Sequence, residues 1–103
     1  MMNDCEFLWQ QLKTVDDPDV HVNIVDLGLV YAIETKLNEG EEIHVTMTLT
    51  SPSCPMGDFL IDAVRKTLVA VCPHQTIKVE LVWDPPWNPD MISEIGKMEL
   101  GLL

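Results

Sequence analysis

Ile43-His44-Val45-Thr46-Met47-Thr48-Leu49, followed by Thr50-Ser51-Pro52-Ser53-Cys54-Pro55-Met56-Gly57-Asp58, is the passage on which the fold turns. Its first seven residues alternate strictly between apolar and polar, the period of a strand. Ile43, Val45, Met47 and Leu49 form the apolar face; His44, Thr46, Thr48 and Thr50 form the other, which is either solvated or set against another subunit. The strand is predicted to run from Ile43 to Thr50. Beyond Pro55 the period changes. Met56, Leu60, Val64, Leu68 and Val71 recur at helical spacing and predict an amphipathic helix from about Pro55 to Val71, stopped by Pro73. Pro55 suits a first helical position, where the missing N–H would be unpaired in any residue. Cys54 then falls at or beside the N-cap, its sulfur near the unpaired N–H groups and the positive end of the helix. That setting favours thiolate over thiol. A strand-loop-helix junction offering a thiolate suits metal binding or sulfur chemistry.

Working outward, alternation is also present upstream, with Leu29, Tyr31, Ile33 and Leu37 on one face. Asn38-Glu39-Gly40-Glu41 supplies turn chemistry, so these two strands are predicted to form a hairpin. Downstream, Ile77, Val79, Leu81 and Trp83 mark a third strand, with Lys78 and Glu80 on its opposite side. A first helix capped by Asn3 or Asp4 runs to about Val15, with Cys5, Leu8, Trp9, Leu12 and Val15 along one stripe. Residues 20–25 are an extended loop or irregular strand, and Asp26-Leu27-Gly28 is a turn whose glycine is free to take positive φ. Trp83-Asp84-Pro85-Pro86-Trp87 cannot continue a central strand, because two consecutive residues lack N–H donors. Asn88-Pro89 signals a final short helix to about Met98, with Ile92 and Ile95 inward, ending near Gly101.

The order is helix-strand-strand-helix-strand-helix. It predicts an α+β fold: a small mixed sheet with helices on one face and a right-handed crossover between parallel strands. The strands leading into Cys54 and Trp83 then end on the same edge of the sheet, where ligand sites gather. Cys54, Thr50, Asp84 and Trp87 are expected to share that edge; whether Asp26 joins them depends on strand order.

The 103 residues fit one domain, 1–103, with no linker-like stretch, and 47% hydrophobic residues suffice for a core without disulfides or structural metal. Six basic against 17 acidic residues give a net charge of -11, which argues against nucleic acid and anionic membranes and favours partners with basic surfaces. No apolar stretch reaches the ~20 residues of a membrane-spanning helix, and the N-terminus lacks the pattern of a signal peptide. A cytoplasmic, reducing setting is therefore expected, in which three cysteines are free thiols rather than a disulfide framework.

Each candidate has a plainer alternative. Cys54 could be a small buried hydrophobe, as free cysteines often are. Cys72 sits at the negative end of the long helix and Cys5 on an apolar stripe, so both read as packing residues. Asp26 reads most simply as a turn former. Trp83 and Trp87 either clamp their loop to the core or anchor a partner. Cys72 and His74 do not make a closed zinc site, because no Cys-x-x-Cys or paired histidines accompany them. A nucleophilic pair of Cys54 with His44 or His74 stays open, since such partners need not be near in sequence.

Several stretches together resemble the FSCA-like (iron–sulfur cluster assembly) domain family that includes SufT and PaaD. They are Asp17-Pro18-Asp19, Val22-Asn23-Ile24-Val25-Asp26-Leu27-Gly28-Leu29-Val30-Tyr31, Thr48-Leu49-Thr50 leading to Cys54-Pro55, and Val82-Trp83-Asp84-Pro85-Pro86-Trp87. The ordered set spans nearly the whole chain; Asp19 stands where the family commonly has Glu, and His21 where proline is frequent. The resemblance implies an α+β domain and an accessory role in iron–sulfur cluster assembly or metalloenzyme maturation, more a factor than an enzyme. It makes Cys54 the metal-binding residue, with Thr50 and Asp26 beside it in binding the cofactor. One thiolate per chain cannot hold a cluster alone. The cluster is thus either transient or bridges two chains as a homodimer, and the partners are assembly or client proteins. The rivals are a thiol-dependent enzyme and a non-catalytic interaction adaptor.

Overall fold

Met47 and Leu81 end neighbouring parallel strands, and that register sets the architecture. The computed structural model describes residues 4–17, 21–36, 42–50 and 57–102. Along them run α1 (Asp4–Leu12), β1 (Val30–Lys36), β2 (Glu42–Met47), α2 (Gly57–Val71), β3 (Thr76–Leu81), a 3₁₀ turn (Pro89–Met91) and α3 (Glu94–Glu99). The sheet has the order β1-β2-β3, with β1 antiparallel and β3 parallel to the central β2. This is the predicted α+β fold with its mixed sheet. α1 packs on β1 and α2, and α2 packs on β3.

Alternation and helical spacing locate the core. Ile43, Val45 and Met47 are all but fully buried, and Leu60, Val64 and Leu68 of α2 are completely so. Each such side chain contributes about 1.5–3 kcal/mol relative to exposure. Leu8 and Leu12 of α1, with Val15 just beyond it, close the core from the side.

The structure departs from sequence expectation at five places. α1 stops at Leu12 rather than Val15, because Lys13 N–H divides between the Trp9 and Gln10 carbonyls and the chain tightens into turns. In β1 the register shifts between Val30 and Ala32, so Val30 rather than Tyr31 stands opposite Met47 on the core side. Such a bulge inserts one residue and breaks the two-residue period. Thr48, expected on the solvated or subunit-facing side, is fully buried, its N–H donating to Leu29 O at 2.8 Å. Val71 is 36% exposed at the last turn of α2. The final helix is interrupted at Ile92 and Ser93. Ile92 is buried as expected, whereas Ile95 is 57% exposed, since α3 restarts with Ser93 as its N-cap.

Candidate functional site at the carboxyl edge of the sheet

β2 and β3 deliver Thr48–Thr50 and Val82–Trp87 to the same edge, and β1, antiparallel to β2, begins there with the Asp26–Leu29 turn behind it. Strand order therefore brings Asp26 to the edge that carries Thr50 and Asp84. Val82 N–H extends the ladder to Met47 O at 2.9 Å. Thr50 is exposed at the exit of β2, and Gly57 opens α2. An added Cβ on Gly57 would stand 2.6 Å from Leu49 Cδ1, so the start of α2 sits directly against the end of β2. Cys54, together with Pro55 and Met56, lies outside the described residues; its flanking residues Thr50 and Gly57 both lie at this edge.

Asp26 is 8% exposed, and both of its carboxylate oxygens are engaged. Asn23 Nδ2 donates to Oδ2 at 2.6 Å, and Ser93 Oγ donates to Oδ1 at 2.8 Å. Asn23 Oδ1 in turn accepts from Asp26 N–H at 2.9 Å, three residues on, as an N-cap side chain does. Ser93 N–H donates to Asp26 O at 2.7 Å, while Ser93 Oγ accepts from Gly96 N–H at 3.0 Å as the N-cap of α3. Gly28, at φ +80, and Gly96 let these segments close together. A Cβ on Gly28 would collide with the Met91 carbonyl, and one on Gly96 would stand 2.8 Å from Ile92 Cγ2. Trp87 Nε1 donates to Leu27 O at 2.7 Å, and Tyr31 OH donates to Pro85 O at 2.7 Å. The C-terminal segment is thus strapped across the turn that ends at Gly28. Trp87 is the half-buried clamp, Trp83 stays 42% exposed, and the Asp84–Pro85 peptide is cis.

The histidines are elsewhere. His44 lies inside β2, with Nε2 3.4 Å from Glu80 Oε2. His74 follows the far end of α2, whose fifteen residues span about 22 Å. Neither imidazole is at the edge where β2 ends. A cavity of about 200 Å³ lined by Phe7, Leu8, Thr35, Ile43, Cys72 and Gln75 is at the opposite end of the sheet. Among the described residues no group of three or more His, Cys, Asp or Glu side chains is placed to hold a metal ion. Sequence reasoning missed Asn23, Ser93 and Gly96 as parts of the site's support. Ser93 alone left a trace, as a helix-capping residue before Glu94.

The sequence model of the iron–sulfur cluster assembly protein family matches residues 7–81. The chain belongs to this family. It is 42% identical over 98 residues to an Fe-S protein maturation auxiliary factor of Porphyromonas gingivalis, covering 95% of this chain and 91% of that protein. It is 44% identical over 90 residues to the Fe-S protein maturation auxiliary factor SufT of Staphylococcus aureus, covering 85% and 98%. The crystal structure of a DUF59 domain from Bacillus anthracis superposes with a TM-score of 0.87 at 37% identity, covering 96% and 92% of the two chains. The family resemblance drawn from the Asp-Leu-Gly turn, the Thr50-to-Cys54 stretch and the Trp-Asp-Pro-Pro-Trp segment agrees with these matches. No helix among the described residues is long and apolar enough to cross a membrane.

Proposed function

We propose that the chain is an accessory factor in iron–sulfur protein maturation and that Cys54 is its reactive group. The carrying observation is the edge itself: Thr50 and Gly57, which bracket Cys54, lie where the parallel strands β2 and β3 both end. Membership of the iron–sulfur cluster assembly family supplies the chemical context. The cluster, or its iron or sulfide, is cargo. Cys54 as thiolate is a soft ligand suited to it, and the remaining ligands come from a donor or client protein because one thiolate does not complete a cluster site. Thr50, exposed at the exit of β2, supplies a hydroxyl for hydrogen bonding to the cargo or to the incoming ligand. Asp26 acts from behind, holding the strap that positions residues 83–87. Trp83 is the apolar contact offered to a client, and the charge of -11 recruits basic partner surfaces.

The alternatives fit less well. A thiol enzyme needs an imidazole near the sulfur, and His44 and His74 lie away from this edge. A pure adaptor leaves Cys54 without a task. The test is complementation in a strain lacking the chain, read as the activity of its iron–sulfur enzymes. Wild type restores it, and Cys54→Ala, with unchanged circular dichroism, does not. Full restoration by Cys54→Ala would leave the adaptor reading in its place. Anaerobic reconstitution with iron and sulfide separates transient from bridging cargo. A cluster retained through gel filtration by the wild type alone, at one per two chains, supports the bridging form.

A further inference from the structure

β3 is an edge strand, and its sequence is its own complement. Val82 N–H donates to Met47 O. In a parallel ladder, the residues bonded to a given neighbour alternate. Thr76, Lys78 and Glu80 therefore turn their backbone groups to β2, and Ile77, Val79 and Leu81 turn theirs to the outer edge. Among the described residues no strand lies along that edge. The core-side chains of these same three residues are only half-buried, unlike Ile43, Val45 and Met47 beside them.

We propose that this edge pairs antiparallel with β3 of a second copy of the chain, about a two-fold axis through Val79. In that register Val79 meets Val79 of the other copy and Ile77 meets Leu81. Lys78 falls opposite Glu80, twice over by symmetry. From Ile77 to Leu81 each opposed position matches apolar with apolar or cation with anion, the pairings that stabilise antiparallel strands. Charged residues ordinarily guard an edge against strange strands. Here the guard is symmetric about Val79, so it admits its own kind. The charged side chains are available: Lys78 is 61% and Glu80 57% exposed, even with their partners Glu42 and His44.

The helix layer agrees with this register. Cys72 shares a cavity with Phe7 and Leu8, which places that flank of α2 toward α1. By helical periodicity Ala63 and Thr67 lie on the opposite flank, while Phe59, far round the helix from Leu60, Val64 and Leu68, is 55% exposed. A two-fold axis perpendicular to the sheet keeps both copies of α2 on one side and brings these flanks together. The isologous contact closes on itself and yields a dimer, not a fibre.

The pairing carries a consequence for the site. Antiparallel β3 strands send their carboxyl ends in opposite directions, so the two edges that carry Thr50 and Gly57 point apart in this dimer. On the Cys54 reading, on which this consequence rests, each copy then offers its own separate edge to cargo.

Sedimentation equilibrium in reducing buffer tests the pairing. Wild type is expected to dimerise reversibly, K78E and E80K each to weaken the dimer by about tenfold or more through two like-charge contacts, and K78E/E80K to restore it. Amide exchange gives an independent reading: protection of Ile77, Val79 and Leu81 N–H should rise with chain concentration, whereas that of Lys78 and Glu80 should not change. A monomeric wild type, or a dimer indifferent to both single exchanges, overturns the proposal. So does protection of these amides only on adding a client protein, which would give the edge to the client. Cys54→Ala should dimerise as wild type does, and K78E should leave Cys54 alkylation unchanged, so failure of this inference is separable from failure of the Cys54 reading.

Discussion

Ser93 joins two parts of the chain with one hydroxyl, donating to Asp26 Oδ1 and accepting from the Gly96 N–H. Its removal leaves a buried carboxylate short of a donor and a helix short of its cap. Ser93→Ala is therefore expected to destabilise the protein by about 1–3 kcal/mol. Thermal denaturation should show this as a fall in Tm of roughly 4–8 °C per kcal/mol, and Ser93→Thr, which keeps the hydroxyl, should recover most of it. Asp26 was legible from the sequence as a turn former, and its bonds with Asn23, three residues away, are local. Its bond to Ser93 spans 67 positions, and no periodicity or spacing encodes a contact of that reach. Cys54 was legible as a candidate because proline and the change of period mark a helix start by purely local rules.

At the scale of elements, the strands and helices follow from period alone. β2, α2 and β3 appear where alternation and helical spacing put them, within one to three residues of the expected ends among the described residues. Two of the exceptions have a common cause. Tyr31 at the bulge and Ile95 after the Ser93 cap each follow an interruption that shifts the phase of the pattern. Thr48 is different: Leu49 after it is buried as expected, so the phase is kept and the polar side of the strand is itself covered at this position. The reach of the C-terminal strap likewise depends on Gly28, whose φ of +80 and contact with the Met91 carbonyl leave no room for a side chain. Gly28→Ala is expected to lose at least about 1 kcal/mol from backbone strain alone. Because the clash is with the strap, the variant should also shift Trp fluorescence, as Trp87 Nε1 loses Leu27 O. An unchanged spectrum and Tm would show that the strap does not depend on this turn.

For the molecule as a whole, the sheet separates its surfaces by task. The carboxyl edge carries Thr50 and Gly57, the lateral edge of β3 has no strand along it among the described residues, and the cavity at the far end touches neither. A net charge of -11 over so small a body creates a long-range field toward basic partners. Association with a client should accordingly weaken as ionic strength rises, because screening shortens that field.

The reactivity of Cys54 as a function of pH tests the central claim most directly. With Cys5→Ala and Cys72→Ala in the folded chain, the rate of iodoacetamide alkylation at Cys54 should rise with a midpoint below the ~8.5 of an ordinary thiol. A midpoint at or above that value, or a sulfur that reacts only in denaturant, would contradict the account.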